Sequence, residues 1–366
     1  MSTFALMYGY QSLQDYLFLM LYGGVAMLTF ALGIYLWLRR ANAIAPAITP
    51  PDALRLWTAA FFMMAALSHV WWYVLGVHWL TDDRLIRNII TVTLDRITLV
   101  PLMMAVLLSV LQDRQHRLWP WVLAHVPIVA LSAVGIAKHD PFYLFEIADY
   151  WQIAVMFVFI TYYTYALLKY NRWLRENYAD LEHKEVWQSM LFVLILSVVY
   201  EAYTTNAGEL VREYLSQFAT LLIMGFLLWR VETLQQLDDM EEPEESAATS
   251  NVNNIGALLE QHCEAARLYL QHDLTLHQLA KAIGTNRTYL SSYFAQQGIT
   301  YNAYINRLRI EHFIRLYHEN KDAMPTTTAF MLAQQSGFHS YSTFSAAFKN
   351  YTGSTVTAWI KAENPK

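Results

Sequence analysis

Apolar positions along this chain follow two patterns. From Tyr16 to Trp229 they form long, nearly continuous runs, whereas from about Leu276 onward they recur at three- and four-residue spacing among polar residues. The first pattern predicts helices buried on all sides or immersed in lipid; the second predicts amphipathic helices around a small core. Seven runs are read, at about Tyr16–Leu38, Leu56–Leu80, Ile89–Leu111, Leu118–Ile136, Tyr150–Leu168, Val186–Tyr203 and Tyr214–Trp229, the last two being the shortest. Crossing a bilayer takes about 20 apolar residues. Pro101, Pro120 and Pro127 lie inside runs, which membrane helices tolerate. The expected fold is all-α, a polytopic helical membrane bundle of about seven spans followed by a soluble helical domain.

Composition sharpens that division. Of 366 residues, 55% are hydrophobic and only 15% charged, with a mean hydropathy of +0.22, too apolar for an ordinary soluble chain of this length. Met1 to Asp15 carry no basic n-region and no small-residue cleavage site, so no signal peptide is read. The single cysteine, Cys263, cannot form an internal disulfide, which fits a reducing compartment. The net charge of −5 says little because the halves differ. From Ile255 on, ten Lys or Arg face seven Asp or Glu, an excess of about three positive charges, which suits an anionic partner without proving one.

Basic residues in short loops set the orientation. Arg39, Arg40 and Arg55 flank the first loop, Arg114 and Arg117 lie in the third, and Lys169, Arg172, Arg175 and Lys184 lie in the fifth. In the even loops Arg84, Arg87, Lys138 and Arg212 are fewer and sit beside acids. The odd loops are therefore expected inside. This puts the N-terminus outside and, after seven crossings, the C-terminus in the cytoplasm of a bacterial inner membrane. Residues 1–230 are read as a membrane-embedded seven-helix sensor domain, 231–254 as an acidic linker and 255–366 as the soluble domain. Glu232, Asp238, Asp239, Glu241, Glu242, Glu244 and Glu245 make the linker acidic. Val231, Leu234 and Leu237 predict that the seventh span continues as a helix to about Met240.

Within the soluble domain two segments share one plan. Leu276 to Phe294 and Thr328 to Phe348 each read as a short helix, a glycine and a second helix. Ala280 and Ala333 are small enough for the helices to cross closely. Gly284 and Gly337 stand where the chain must turn, a place for positive φ, and Ile283 and Phe338 are positioned to plug the turn. Tyr289, Leu290 and Phe294, with Phe344 and Phe348, are expected to face the core, leaving short polar residues on the outer face of each second helix. A helix from about Tyr301 to Tyr317 joins the two segments and would be on the order of 25 Å long, a spacer suited to two successive major-groove turns.

These residues resemble the DNA-binding domain of AraC-type transcriptional regulators. The resemblance covers about Ile255 to Lys361. It includes Leu279–Ala280, Tyr289–Leu290–Ser291, Phe294, Gly298, Tyr304, Asn306 to Glu311, Gly337–Phe338, Phe344, Phe348–Lys349 and Tyr351–Thr352–Gly353. It implies an AraC-like domain with two helix-turn-helix motifs that binds double-stranded promoter DNA, with RNA polymerase as a further partner and activation as the commoner role. The chain departs from the family at Ser292 and Ala346, where a basic residue is common, and at Phe313, where a small one is usual.

The DNA-binding candidates are Asn286, Arg287, Thr288, Ser291 and Ser292 in the first motif and Ser340, Tyr341, Ser342, Ser345 and Lys349 in the second. Arg287 either pairs bidentately with guanine or grips a phosphate. The second motif has few strong base readers and is expected mainly to position the domain. Arg307 is expected to brace the two motifs, and His339 to be a turn residue. In the apolar half the candidates for sensing an unknown small ligand are His69, His78, Asp95, Arg96 and Glu201, since charge inside a span needs a partner or a cavity. The competing reading has Asp95 and Arg96 satisfying each other or their neighbours.

No metal-spaced His cluster, Gly-rich phosphate loop or nucleophile motif is found, so neither enzyme chemistry nor a cofactor is expected. The favoured reading is a membrane-bound one-component transcription regulator, acting as a homodimer, in which the seventh span moves the tail. The alternatives are a transporter or a membrane scaffold whose helical tail binds protein.

Overall fold

A computed structural model describes residues 13–46, 48–76, 83–138, 141–193, 195–196, 209–237, 255–320 and 328–363. Among them the chain is all-α, with one isolated antiparallel bridge between Tyr178 and Thr275. It divides into two compact units. The first comprises residues 1–168 and 186–237, the second residues 169–185 and 238–366. The division thus assigns the loop after the fifth apolar run to the C-terminal unit, a placement no linear boundary expresses.

The first unit contains α1 (Leu13–Leu38), α2 (Asp52–Gly76), α3 (Arg84–Ser109), α4 (Trp119–Leu123), α5 (Val126–Ala137), α6 (Pro141–Asn177, through Leu168) and α7 (Glu209–Thr233). Among the described residues six helical segments are long and apolar enough to cross a membrane: Tyr16–Leu38, Asp52–Val74, Leu85–Ser109, Trp119–Ala137, Tyr143–Asn177 and Tyr214–Thr233. The expected sixth run, Val186–Tyr203, lies partly outside the described residues. Gly33 lets α1 and α2 approach closely, since a methyl group there would lie 2.9 Å from Met63. Leu36, Leu54, Phe62 and Val106 are buried, while Met20, Met27, Phe157 and Leu222 stay exposed.

The fourth run is broken. Pro127 has no N–H to offer the carbonyl of Leu123, and α4 gives way to α5 across Ala124–His125. Side chains take up the loosened carbonyls: Trp151 Nε1 donates to Ala124 O at 2.8 Å, and His125 Nδ1 lies 2.7 Å from Trp121 O.

The last helix of this unit corrects the sequence expectation. α7 ends at Thr233 and does not continue to Met240. Leu234 and Leu237 are buried in non-helical backbone. Gln236 N donates to Thr49 O at 2.8 Å, and the Gln112 side chain bonds Gln235 O and Leu237 N at 3.0 and 2.9 Å. Tertiary partners satisfy the backbone groups that a helix would have satisfied internally. Glu232, read as part of the acidic linker, is 3% exposed. It accepts from Tyr35 Oη at 2.9 Å, from Ile44 N at 3.1 Å and from Ala43 N.

The second unit holds residues 169–185, α8 (Ile255–Leu259) with the π-helical turn Glu260–Ala265, α9 (Leu276–Ala282), α10 (Arg287–Gln296), α11 (Tyr301–Glu319), α12 (Ala329–Gln335), α13 (Tyr341–Thr352) and α14 (Val356–Glu363). Two cores lie along α11. Leu259, Leu279, Ala280, Leu290, Phe294 and Ile305 belong to one, and Phe313, Leu332, Phe338, Phe344 and Phe348 to the other. The five helices α9 to α13 start at a Thr, Asn or Ser whose side chain accepts from an N–H of the first turn, namely Thr275, Asn286, Thr300, Thr328 and Ser340, the residue types that best satisfy those donors. Gly284 and Gly337 turn the chain with φ of +74° and +91°. Phe313, unusual against the AraC-type pattern, is buried 4.5 Å from the Phe344 ring.

Candidate nucleic-acid interface

Two helix-turn-helix units result, α9–α10 and α12–α13, both mounted on α11. Asn286 caps α10, its Oδ1 accepting from Tyr289 N at 2.9 Å, which commits one of its acceptors to the fold. Thr288 and Ser292 are exposed and Ser291 is partly covered. Ser340 caps α13. Tyr341, Ser342 and Lys349 are exposed, and Ser345 is partly covered. The candidates of each motif therefore fall at the N-terminal end and outer surface of its second helix. His339 lies in the turn before α13.

Two placements differ from the expectation. Tyr289 is 41% exposed rather than part of the core, which Leu290 and Phe294 fill on the opposite side of α10. Arg307 does not brace the motifs; it is exposed and lies over the Tyr304 ring, 5.5 Å from its centroid. The brace is Arg309, fully buried, whose Nε donates to Tyr269 O at 2.8 Å and whose Nη2 donates to Gln271 O and His272 O at 2.6 and 3.1 Å. Its guanidinium stacks over Phe338 of the second motif, 5.6 Å from the ring centroid. Burial lowers its pKa, while Tyr301, Asp180 and Asp273 raise it. Arg307 and Arg309 are two positions apart and so face different sides of the helix. The sequence signal that separates them is the apolar register: Ile305, Leu308 and Phe313 are all core residues.

Arg287 was expected to reach outward. Instead it is partly buried, and its Nε donates to Asn177 Oδ1 at 2.9 Å. Burial lowers its pKa, with Tyr178 and Glu176 acting in the opposite direction. The same segment makes further contacts within the unit. Asn302 Nδ2 donates to Tyr178 O and Ala179 O at 3.2 and 2.7 Å, Ala179 N donates to Leu274 O at 3.4 Å, and the Lys184 ammonium lies 3.8 Å from Asp273. Sequence reasoning missed all of this, because nothing local to residues 177–180 marks them as a partner for a segment a hundred positions on.

Of the candidates in the first unit, the structure describes Asp95, Arg96 and His69. Asp95 accepts from Ser68 Oγ, Trp71 Nε1 and Trp72 Nε1 at 2.6, 3.1 and 2.7 Å. Arg96 pairs with Asp149 at 2.5 Å and lies over Phe145. His69 meets Gln217 at 3.1 Å. Asp95 and Arg96 thus satisfy neighbours rather than each other. His78 and Glu201 lie outside the described residues.

Comparison with known proteins bears on the second unit alone. The helix-turn-helix domain family matches residues 279–362. A helix-turn-helix transcriptional regulator of Staphylococcus aureus is 33% identical over 96 residues, and counterparts from strains MRSA252 and COL are 32% and 31% identical over the same length. These matches take in 26% of this chain and 12% of each relative, so the chain spans only a small part of the regulators it resembles. No solved structure matches. With two motifs on one joining helix and the family match across both, residues 279–362 are a helix-turn-helix domain of the AraC type.

Proposed function

We propose that this chain is a membrane-bound one-component transcription regulator. The observation that carries the reading is the occurrence, in one polypeptide, of an AraC-type helix-turn-helix domain and six described helical segments fit to cross a bilayer. The apolar side chains exposed on those helices suit lipid and would be a liability in water. The N-terminal ends and outer surfaces of α10 and α13 carry the groups offered to promoter DNA, with Arg287 and Lys349 supplying charge and Asn286, Thr288, Ser291, Ser292, Ser340, Tyr341, Ser342 and Ser345 supplying polar contacts. The basic residues of the odd loops support a cytoplasmic position for residues 255–366, where DNA is available. Sensing of a small ligand by the helical bundle, pairing of two tails as a homodimer and contact with RNA polymerase complete the proposal.

The test uses the full chain in lipid nanodiscs and genomic duplex fragments. Selective retention of a subset of fragments, weakening steeply as salt rises, is expected, because released counterions dominate such binding. Retention of no fragment, even at low salt, would instead support a tail that binds protein. A reporter fused after Lys366 that is active only outside the cytoplasm would refute the orientation.

A further inference from the structure

We propose that residues 177–180 are an internal occupant of the first helix-turn-helix unit, and that this segment and duplex DNA compete for Arg287. The inference rests on the DNA-binding reading above and adds the element that regulates it.

The segment is seated by several independent contacts. Ala179 is fully buried within the first core. Tyr178 pairs with Thr275 in an antiparallel bridge, immediately before α9. The Asn302 amide holds the carbonyls of Tyr178 and Ala179. Asn177, at the end of α6, holds the Arg287 Nε.

Position gives that last contact its consequence. Arg287 is the first residue of α10, and in helix-turn-helix docking the N-terminal residues of the second helix meet the base edges. A guanidinium uses its fork of donors to grip guanine or phosphate. Here one of those donors is taken and the side chain is half-covered. Glu176, next to Asn177, also interacts with Arg287, so an incoming phosphate would meet like charge at that point. Asn177 is the last residue of α6, which contributes residues to both units. A displacement of that helix would therefore reach Arg287 through Asn177 directly.

The opposed pair Tyr178 and Thr275 offers the test. Directly paired antiparallel residues have Cα atoms about 4.5–5.5 Å apart, within disulfide reach. The native Cys263 is buried and free, so Tyr178→Cys with Thr275→Cys introduces a single accessible bridge. Full-length protein in phosphatidylcholine nanodiscs is titrated with a fluorescent duplex of about 40 base pairs at low salt, where sequence-independent affinity is strongest. Oxidation is expected to weaken binding by about tenfold or more, and dithiothreitol to restore it. Asn177→Ala, which removes the acceptor that holds the Arg287 Nε, is expected to bind more tightly than wild type by about tenfold or more, the order of one charge-assisted hydrogen bond. Equal affinity of oxidised and reduced protein overturns the competition, whatever Asn177→Ala does, and leaves the DNA-binding reading standing. No duplex binding by wild type, reduced pair and Asn177→Ala alike overturns that reading, and the competition with it.

Discussion

Arg309→Ala is the most informative single perturbation of the second unit. The side chain is completely buried and gives three hydrogen bonds to the carbonyls of Tyr269, Gln271 and His272. Charge-assisted bonds contribute roughly 1.5–3 kcal/mol each, but three from one guanidinium do not add, since they share one charge and one desolvation. Removing one partner of a buried charged network costs about 3–5 kcal/mol. The stacking over Phe338 is lost as well. We therefore expect a loss of about 4 kcal/mol, a large part of a domain stability of roughly 5–15 kcal/mol. Alanine leaves the three carbonyls without their donor, whereas Arg309→Lys keeps a charge and reaches some of them, so its loss should be about half as large. Hydrogen exchange of the α11 amides in the full chain, measured in nanodiscs, gives the difference directly. A loss of about 4 kcal/mol accelerates exchange roughly a thousandfold. Arg307→Ala serves as the control, because an exposed cation over a tyrosine contributes below about 1 kcal/mol. Acceleration by less than tenfold in Arg309→Ala, or an equal effect in Arg307→Ala, would refute the assignment of Arg309 as the brace.

Two further outcomes follow from the same unit. Gly337→Ala should destabilise by about 3 kcal/mol, since alanine at φ +91° is strained by about 1–2 kcal/mol and its Cβ would lie 2.9 Å from the Leu270 Cα; Gly284→Ala, at φ +74° with open space, should show only the conformational part. Limited proteolysis of the two variants side by side checks this, and equal susceptibility would contradict the close-contact argument. Burial lowers the pKa of His312, with Arg315 and Arg267 adding to the effect and Glu319 opposing it. With the folded pKa below the unfolded one, the unfolded chain binds the extra proton first. Stability from this group is therefore full above about pH 6.5 and falls as pH drops below it, towards the folded value. His312→Gln should flatten that part of the stability profile; an unchanged acid slope would show that other groups cause it.

What the sequence disclosed and what it withheld have a common physical basis. The motif glycines, the capping Thr, Asn and Ser residues, and the apolar register of α9 to α13 are local facts. A positive φ and a helical face are each specified within a few residues, so Gly284, Gly337 and Phe344 could be placed from the chain alone. The long apolar runs are local in the same sense. Arg309, Glu232 and Asn177 were not legible, because each is defined by a partner far away in sequence. Arg309 is held by carbonyls some 37 to 40 positions earlier, Glu232 by backbone near residue 44, and Asn177 by Arg287, 110 positions later. A charge in a polar stretch reads as solvated until such a partner is found, and so Glu232 reads as part of the acidic linker.

The burial of Glu232, Leu234 and Leu237 changes the signalling argument. A helix running on to Met240 would have offered the DNA-binding domain a stiff lever from the last apolar helix. Instead α7 stops at Thr233, and Gln236 and Leu237 are fastened to Thr49 and Gln112 of their own unit. Motion of α7 along its axis is then resisted by contacts at its end. The segment after the fifth apolar run has the opposite character: Asn177 closes a continuous 37-residue helix and touches the first residue of a recognition helix. Coupling between two sites needs an element whose position both can bias. Among the described residues, α6 with its terminal Asn177 meets that requirement more directly than the end of α7 does.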